Sequence, residues 1–116
     1  MIPIDYLAAV RRVLDHLEQT QMRAVDRAAD LIVEALRRRG AVYCAGIGHG
    51  NEGDFIDRAG GLAAVKKFQG ECRSGDVVMI GSVSGRNVNP VETALSCRAK
   101  GAATIGLTSR EYTRQV

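Results

Sequence analysis

The 116-residue sequence has no tryptophan, and its aromatic rings are three Tyr and two Phe. With apolar residues at 46%, the core must therefore be aliphatic, built from Val, Ile, Leu and Ala. Two prolines against thirteen glycines suit tight turns between regular elements and exclude a Pro-rich linker or low-complexity chain. The three cysteines, Cys44, Cys72 and Cys97, form no C-x-x-C and are odd in number, which excludes a disulfide framework and points to reduced, intracellular usage. No apolar run reaches the roughly 18 residues of a membrane span, and no signal peptide leads the chain, so a cytoplasmic protein without membrane contact is expected. Net charge is +3, spread evenly, and the one basic run, Arg37-Arg38-Arg39, lacks interleaved aromatics. Nucleic acid is not an expected partner. The run falls where a helix C-terminus welcomes cations.

The length fits one domain, burying roughly 65% of its unfolded surface. Residues 3–39 carry helical spacing almost throughout: Leu7, Val10, Leu14 and Leu17, then Met22, Val25, Ala29, Ile32, Val33 and Leu36. One bent helix or two in tandem is predicted, stopped by Gly40 at the left-handed cap position. A domain this small has too little sheet to cover such a stripe, so residues 1–40 are expected to be an oligomerisation region packing on another chain. Residues 41–116 then alternate strands and helices. Strands are predicted at 41–45, 62–68, 77–80 and 102–107, and helices at 51–58, 89–100 and from Ser109 onward, giving a parallel α/β sheet. Gln69 to Gly75 is short for a parallel crossover, which normally takes a dozen residues. Residues 62–68 are accordingly expected at a sheet edge, with an antiparallel strand or a bare extended crossover as the alternatives.

The stretch 77–92 organises the chain. A buried run, Val77-Val78-Met79-Ile80-Gly81, opens into Ser82-Val83-Ser84-Gly85-Arg86-Asn87. Asn89-Pro90-Val91-Glu92 then reads as a helix start, with Asn89 as N-cap, Pro90 first in the helix and Glu92 reaching back to the cap. A strand, a hydroxyl-rich loop and a helix N-terminus make an anion site at the end of an α/β sheet where ligands bind. Ser82, Ser84 and Asn87 can hydrogen-bond a phosphate, Arg86 adds charge, and Gly85 allows close backbone approach. Thr108 and Ser109 end the last strand, where they line the same crevice or Ser109 caps the following helix.

The other glycine loop, Gly46-Ile47-Gly48-His49-Gly50, has the opposite balance. Its third glycine is misplaced for a dinucleotide fingerprint, and position 68 is Phe where an acid is required. Glu52, Asp54 and Asp57 follow and repel an incoming phosphate. His49 and Glu52 are the local candidates for moving a proton, against plainer roles as a loop side chain and a first-turn helix charge. No cofactor or metal is expected.

Ser82-Val83-Ser84-Gly85 resembles the Ser-x-Ser-Gly loop of the sugar isomerase (SIS) phosphosugar-binding domains. Gly46-Ile47-Gly48-His49, Arg58-Ala59-Gly60-Gly61-Leu62, Gly75-Asp76-Val77-Val78 and Thr108-Ser109-Arg110-Glu111-Tyr112 are similar, in order, to motifs of one bacterial SIS subgroup. The resemblance implies a three-layer α/β/α fold on a mostly parallel sheet, here with a reduced strand count. It implies a phosphorylated sugar as ligand, and oligomers with sites near subunit interfaces. The residues it marks for the phosphosugar are Gly48, Ser82, Ser84, Gly85, Arg86, Asn87 and Thr108. The chain departs from the pattern at Ile47 and Gly50, where relatives usually have hydroxyls. The helical stretch between second and third strands is also missing, as are the C-terminal strand and helix. The implied function is a phosphosugar-binding subunit of an isomerase-type oligomer, homomeric or completed by a fuller SIS chain. The alternative is a non-catalytic subunit with a degenerate pocket.

Overall fold

The computed structural model describes residues 2–46, 64–82 and 88–108. Contacts divide the chain into two units, Met1–Asp30 and Leu31–Val116. The first contains α1, Ile2–Thr20, and the start of α2, Met22–Arg37. The tandem-helix alternative is therefore the observed one, and its cause is local. The Thr20 hydroxyl donates to the His16 carbonyl one turn back (2.6 Å), a back-bond that perturbs the helical ladder. Only Gln21 drops out of helix, and N–H to carbonyl bonds from Gln21 to Leu17 and from Val25 to Gln21 run across the break.

In the second unit, β1 (Val42–Gly46), β2 (Val65–Lys67), β3 (Val77–Ser82) and β4 (Ala103–Thr108) form one sheet in the order β2-β1-β3-β4. All pairs are parallel. The third helix, α3 (Val88–Ala99), joins β3 to β4. The fold is the α/β arrangement expected, with strand order matching flavodoxin-like sheets. The edge position expected for residues 62–68 is observed at β2, and the crossover that follows is the bare one: residues 68–76 pass over β1 with no helix. The predicted helix at 51–58 and the last one from Ser109 lie outside the described residues.

Strand alternation deals the side chains to two faces. Val42, Cys44, Val77 and Met79 pack with Ala35, Leu31 and Ile32 of α2 on one. Val78 and Ile80 pack with Tyr43, Cys72, Ala94, Cys97 and Ala102 on the other. Every residue of β3 is buried, as a strand covered on both faces requires. Val42, Val77 and Val78 are almost wholly buried, each contributing about 1.5–3 kcal/mol of apolar transfer.

Two helix ends correct or refine the sequence reading. Gly40 is not the left-handed cap of α2. Arg39 takes that conformation (φ 61°), with Arg39 N–H bonding to Leu36 and Gly40 N–H to Ala35 in a Schellman pattern. Position 40 is glycine because a Cβ there would strike the Gly75 carbonyl oxygen. The helix after β3 begins at Val88, one residue ahead of Asn89. Asn89 is therefore inside the first turn and is not the N-cap, and Glu92 is too far along to close a capping box. Pro90 did not mark the start because first-turn N–H groups lack helical acceptors, so proline fits anywhere in that turn. At the other end Gly101 (φ 89°) is the cap as expected, with Gly101 N–H bonding to Arg98 and Ala102 N–H to Cys97.

Candidate functional site

β1 and β3 are parallel and in register, Gly46 beside Gly81, and the chain reverses direction across the sheet between them. That is the switch point at which open α/β sheets bind ligands. β1 and β3 therefore end side by side, at Gly46 and Ser82. Of the site candidates, Gly48, His49, Glu52, Ser84, Gly85, Arg86 and Asn87 lie outside the described residues. Ser82 and Thr108 are described, and the sheet brings them together. They are register partners at the C-terminal ends of β3 and β4, and both fall on the face that α3 covers. Ser82 is 9% exposed, while Thr108 is open to solvent.

A cavity of about 200 Å³ lies between them and α3, walled by Ile80, Ser82, Pro90, Val91, Thr104 and Thr108. The walls are apolar apart from three hydroxyls: Ser82, Thr104 and Thr108. The helix that forms one wall presents its N-terminal turn, where unpaired N–H groups favour negative charge. Pro90 supplies no N–H, so this turn offers one donor fewer than usual. The arrangement suits an anion at the helix end with a hydroxylated or apolar body along the cavity.

Thr104, Pro90 and Val91 were not singled out from sequence. The signal for Thr104 was present: Thr104, Gly106 and Thr108 alternate along one strand and share a face. Pro90 and Val91 were assigned to capping, which hid their role as walls. The opposite, N-terminal end of the sheet carries a different polar group. Asp76, 7% exposed, accepts from the Ala41 N–H (2.9 Å) and the Arg73 N–H (2.8 Å) through its two carboxylate oxygens. Its backbone carbonyl accepts from the Ala103 N–H (2.9 Å). Asp76 thus ties the starts of β1, β3 and β4 together and has no part in the cavity.

A second concavity, lined by Tyr43, Lys66, Lys67, Gln69 and Glu71, flanks edge strand β2. The Tyr43 and Phe68 rings meet edge to face there, 5.9 Å between centroids. Among the described residues no helix is long and apolar enough to cross a membrane.

Comparison with known proteins follows the same lines. The chain is 32% identical to a UPF0309 protein of Halalkalibacterium halodurans over 143 positions, covering 97% of this chain and 59% of that one. It is 44% identical to a UPF0309 protein of Streptomyces avermitilis over 63 residues, covering 54% of this chain and 25% of that one. The chain spans at most about three fifths of the length of these relatives. Since 97% of 116 residues is aligned over 143 positions of the first relative, roughly 30 of its positions fall opposite gaps in this chain. Among solved structures, phosphoheptose isomerase from Neisseria gonorrhoeae superposes with a TM-score of 0.78 at 22% identity, over 97% of this chain and 76% of that one. At that identity the likeness speaks for the fold. The SIS domain model matches residues 5–71 and again 54–109, two overlapping stretches that together span most of the sequence and put the shortening near their overlap. By that match, and by the fold that carries it, the chain belongs to the SIS domain family.

Proposed function

We propose that the chain is a phosphosugar-binding SIS subunit, with the phosphate held at the C-terminal end of β3 and the sugar lying along the cavity toward β4. The observation that carries this reading is the register pairing of Ser82 with Thr108 across a cavity walled by the first turn of α3. Ser82, Ser84, Arg86, Asn87 and the backbone around Gly85 take the phosphate. Gly48 and Thr108 contact the sugar. The associated reaction is isomerisation by proton transfer at a sugar carbon, with His49 and Glu52 as the proton-moving groups. Isothermal titration with a sugar phosphate, the same sugar unphosphorylated and inorganic phosphate tests the site. Binding is expected for the phosphorylated ligand, and Ser84→Ala should weaken it at least ten-fold. Equal affinity for the unphosphorylated sugar, or an unchanged Ser84→Ala, removes the loop from the phosphate role.

The subunit works in an oligomer held through residues 1–40. Support comes from α1, where Leu7 is 51%, Leu14 57% and Leu17 45% exposed along one helical stripe. A second reading, a non-catalytic subunit completed by a fuller SIS chain, is favoured by the roughly 30 aligned positions this chain lacks. Native mass spectrometry and turnover assays of the chain, alone and with its genomic neighbours, separate the two. Activity of a homo-oligomer supports the first, and activity only with a partner supports the second.

A further inference from the structure

The bare crossover from β2 to β3 is an exposed strap. Residues 69–71 and 73–75 face solvent, and between Phe68 and Asp76 the one buried side chain is Cys72. Cys72 is 8% exposed and packs in the same cluster as Cys97 of α3, which is 1% exposed. Cys72 is among the neighbours that push the Cys97 thiol up. Cys44 is buried on the other face of the sheet. The strap's one buried side chain therefore packs in the same cluster as a thiol of α3, while the far end of the strap is held by Arg73 N–H to the Asp76 carboxylate and Gly75 N–H to the Gly101 carbonyl.

We propose that Cys72 and Cys97 form a redox clasp, closing to a disulfide that pins the shortened crossover to α3. Two thiols in one buried cluster must draw their sulfurs together to about 2.0 Å to bond. On the β2 side of Cys72, Gly70 (φ 93°) has nothing within 4 Å of its Cβ position, which leaves that half of the strap room to shift. The oxidant is a small disulfide of the glutathione type. Cys72, the more exposed sulfur, attacks as thiolate, breaking the small disulfide and releasing one small thiolate, which takes a proton from solvent. The Cys97 sulfur, losing its proton to solvent, then attacks the Cys72 sulfur of the mixed disulfide. The second small thiolate leaves and is protonated. Two protein thiols are oxidised and one small disulfide is reduced to two thiols. Burial and the neighbouring Cys72 push the Cys97 thiol up to about 11, so its proton must leave before it attacks and the second step is the slower one. In a reducing compartment the pair rests as thiols and closes when small disulfides accumulate. The clasp joins the strap to the same helix whose first turn, Pro90 and Val91, walls the cavity.

The full chain is equilibrated in glutathione redox buffers, quenched by acid, and followed by intact mass, thiol count under denaturing conditions and peptide mapping. Expected are loss of two hydrogens, one remaining thiol at Cys44, a peptide pair joined through Cys72 and Cys97, and a higher melting temperature that dithiothreitol reverses. Cys97→Ser should instead trap glutathione on Cys72. Retention of all three thiols in the most oxidising buffer, a bond through Cys44, or bonds only between chains overturns the proposal. The overturning readouts come from the unmodified chain and do not depend on how the variant folds.

Discussion

Where the strands begin, one carboxylate binds two backbone N–H groups, a carbonyl of the same residue binds a third, and Gly40 lies against the Gly75 backbone with no room for a methyl group. Where the strands end, Ser82 and Thr108 border a cavity and a helix N-terminus. The first end uses its polar groups to tie the strands together; the second sets hydroxyls around a cavity beside a helix N-terminus. In a parallel sheet both ends carry loops, and this contrast separates polar residues that hold the strands from those that line a cavity. Substitutions at the two ends should therefore move different observables, stability at one and affinity at the other.

The sharpest way to break the comparison is Asp76→Ala. It strands two backbone donors near the protein interior and should cost about 2–4 kcal/mol. Urea unfolding should show a lower midpoint, while affinity of the still-folded fraction for a sugar phosphate stays the same. A large loss of affinity without loss of stability would move Asp76 to the functional side. Gly40→Ala comes next, at about 1–3 kcal/mol, because the obstacle is a carbonyl oxygen of the main chain and cannot rotate away. Gly101→Ala is expected at about 1–2 kcal/mol, combining a left-handed backbone with close approach to the Ser74 side chain at 2.9 Å.

Alkaline pH probes the face between the two ends. With Cys97 raised from 9.0 to about 11, the thiol keeps its proton in the folded state after the unfolded chain has lost it. The contribution to stability is full below pH 9.0 and is lost as pH rises from 9.0 through about 11. It amounts to at most about 2–3 kcal/mol. Cys97→Ala should flatten that part of the stability curve relative to the unmodified chain, measured by denaturant unfolding under reducing conditions. An equally steep fall in the variant would assign the alkaline loss to other groups.

The fold was legible because its signals are repeated along the chain. Buried runs such as 77–81, glycines after helices and the missing crossover each pointed to the same parallel sheet with β2 at an edge. What failed were single-residue signals with two physical explanations. Gly40 could answer for a positive φ or for close packing, and only the fold reveals the Gly75 carbonyl beside it. Pro90 fits any position of a first turn, so it could not date the helix start. In the site, Ser82 and Thr108 were legible as strand-end hydroxyls, and the register shows them opposite one another. Thr104 was overlooked because a threonine inside a strand also serves plain β propensity.

At the cavity end the effects should be smaller and fall on binding. In the proposed pose Ser82→Ala removes a hydroxyl directed to a charged phosphate, an interaction of about 1.5–3 kcal/mol, so affinity should fall ten-fold or more while stability changes by no more than about 1 kcal/mol. Thr108→Val is the finest discriminator. Valine keeps the β-branched shape and the strand preference, so β4 should pair with β3 as before. Only the hydroxyl is lost, and it faces a neutral sugar oxygen in the proposed pose, worth about 0.5–1.5 kcal/mol. Titration should show a roughly three-fold weaker sugar phosphate, with affinity for inorganic phosphate unchanged, since phosphate alone does not reach β4. If both ligands weaken together, the anion spans both strands and the sugar must lie elsewhere. If neither weakens, Thr108 belongs with Asp76 among the residues that serve the sheet.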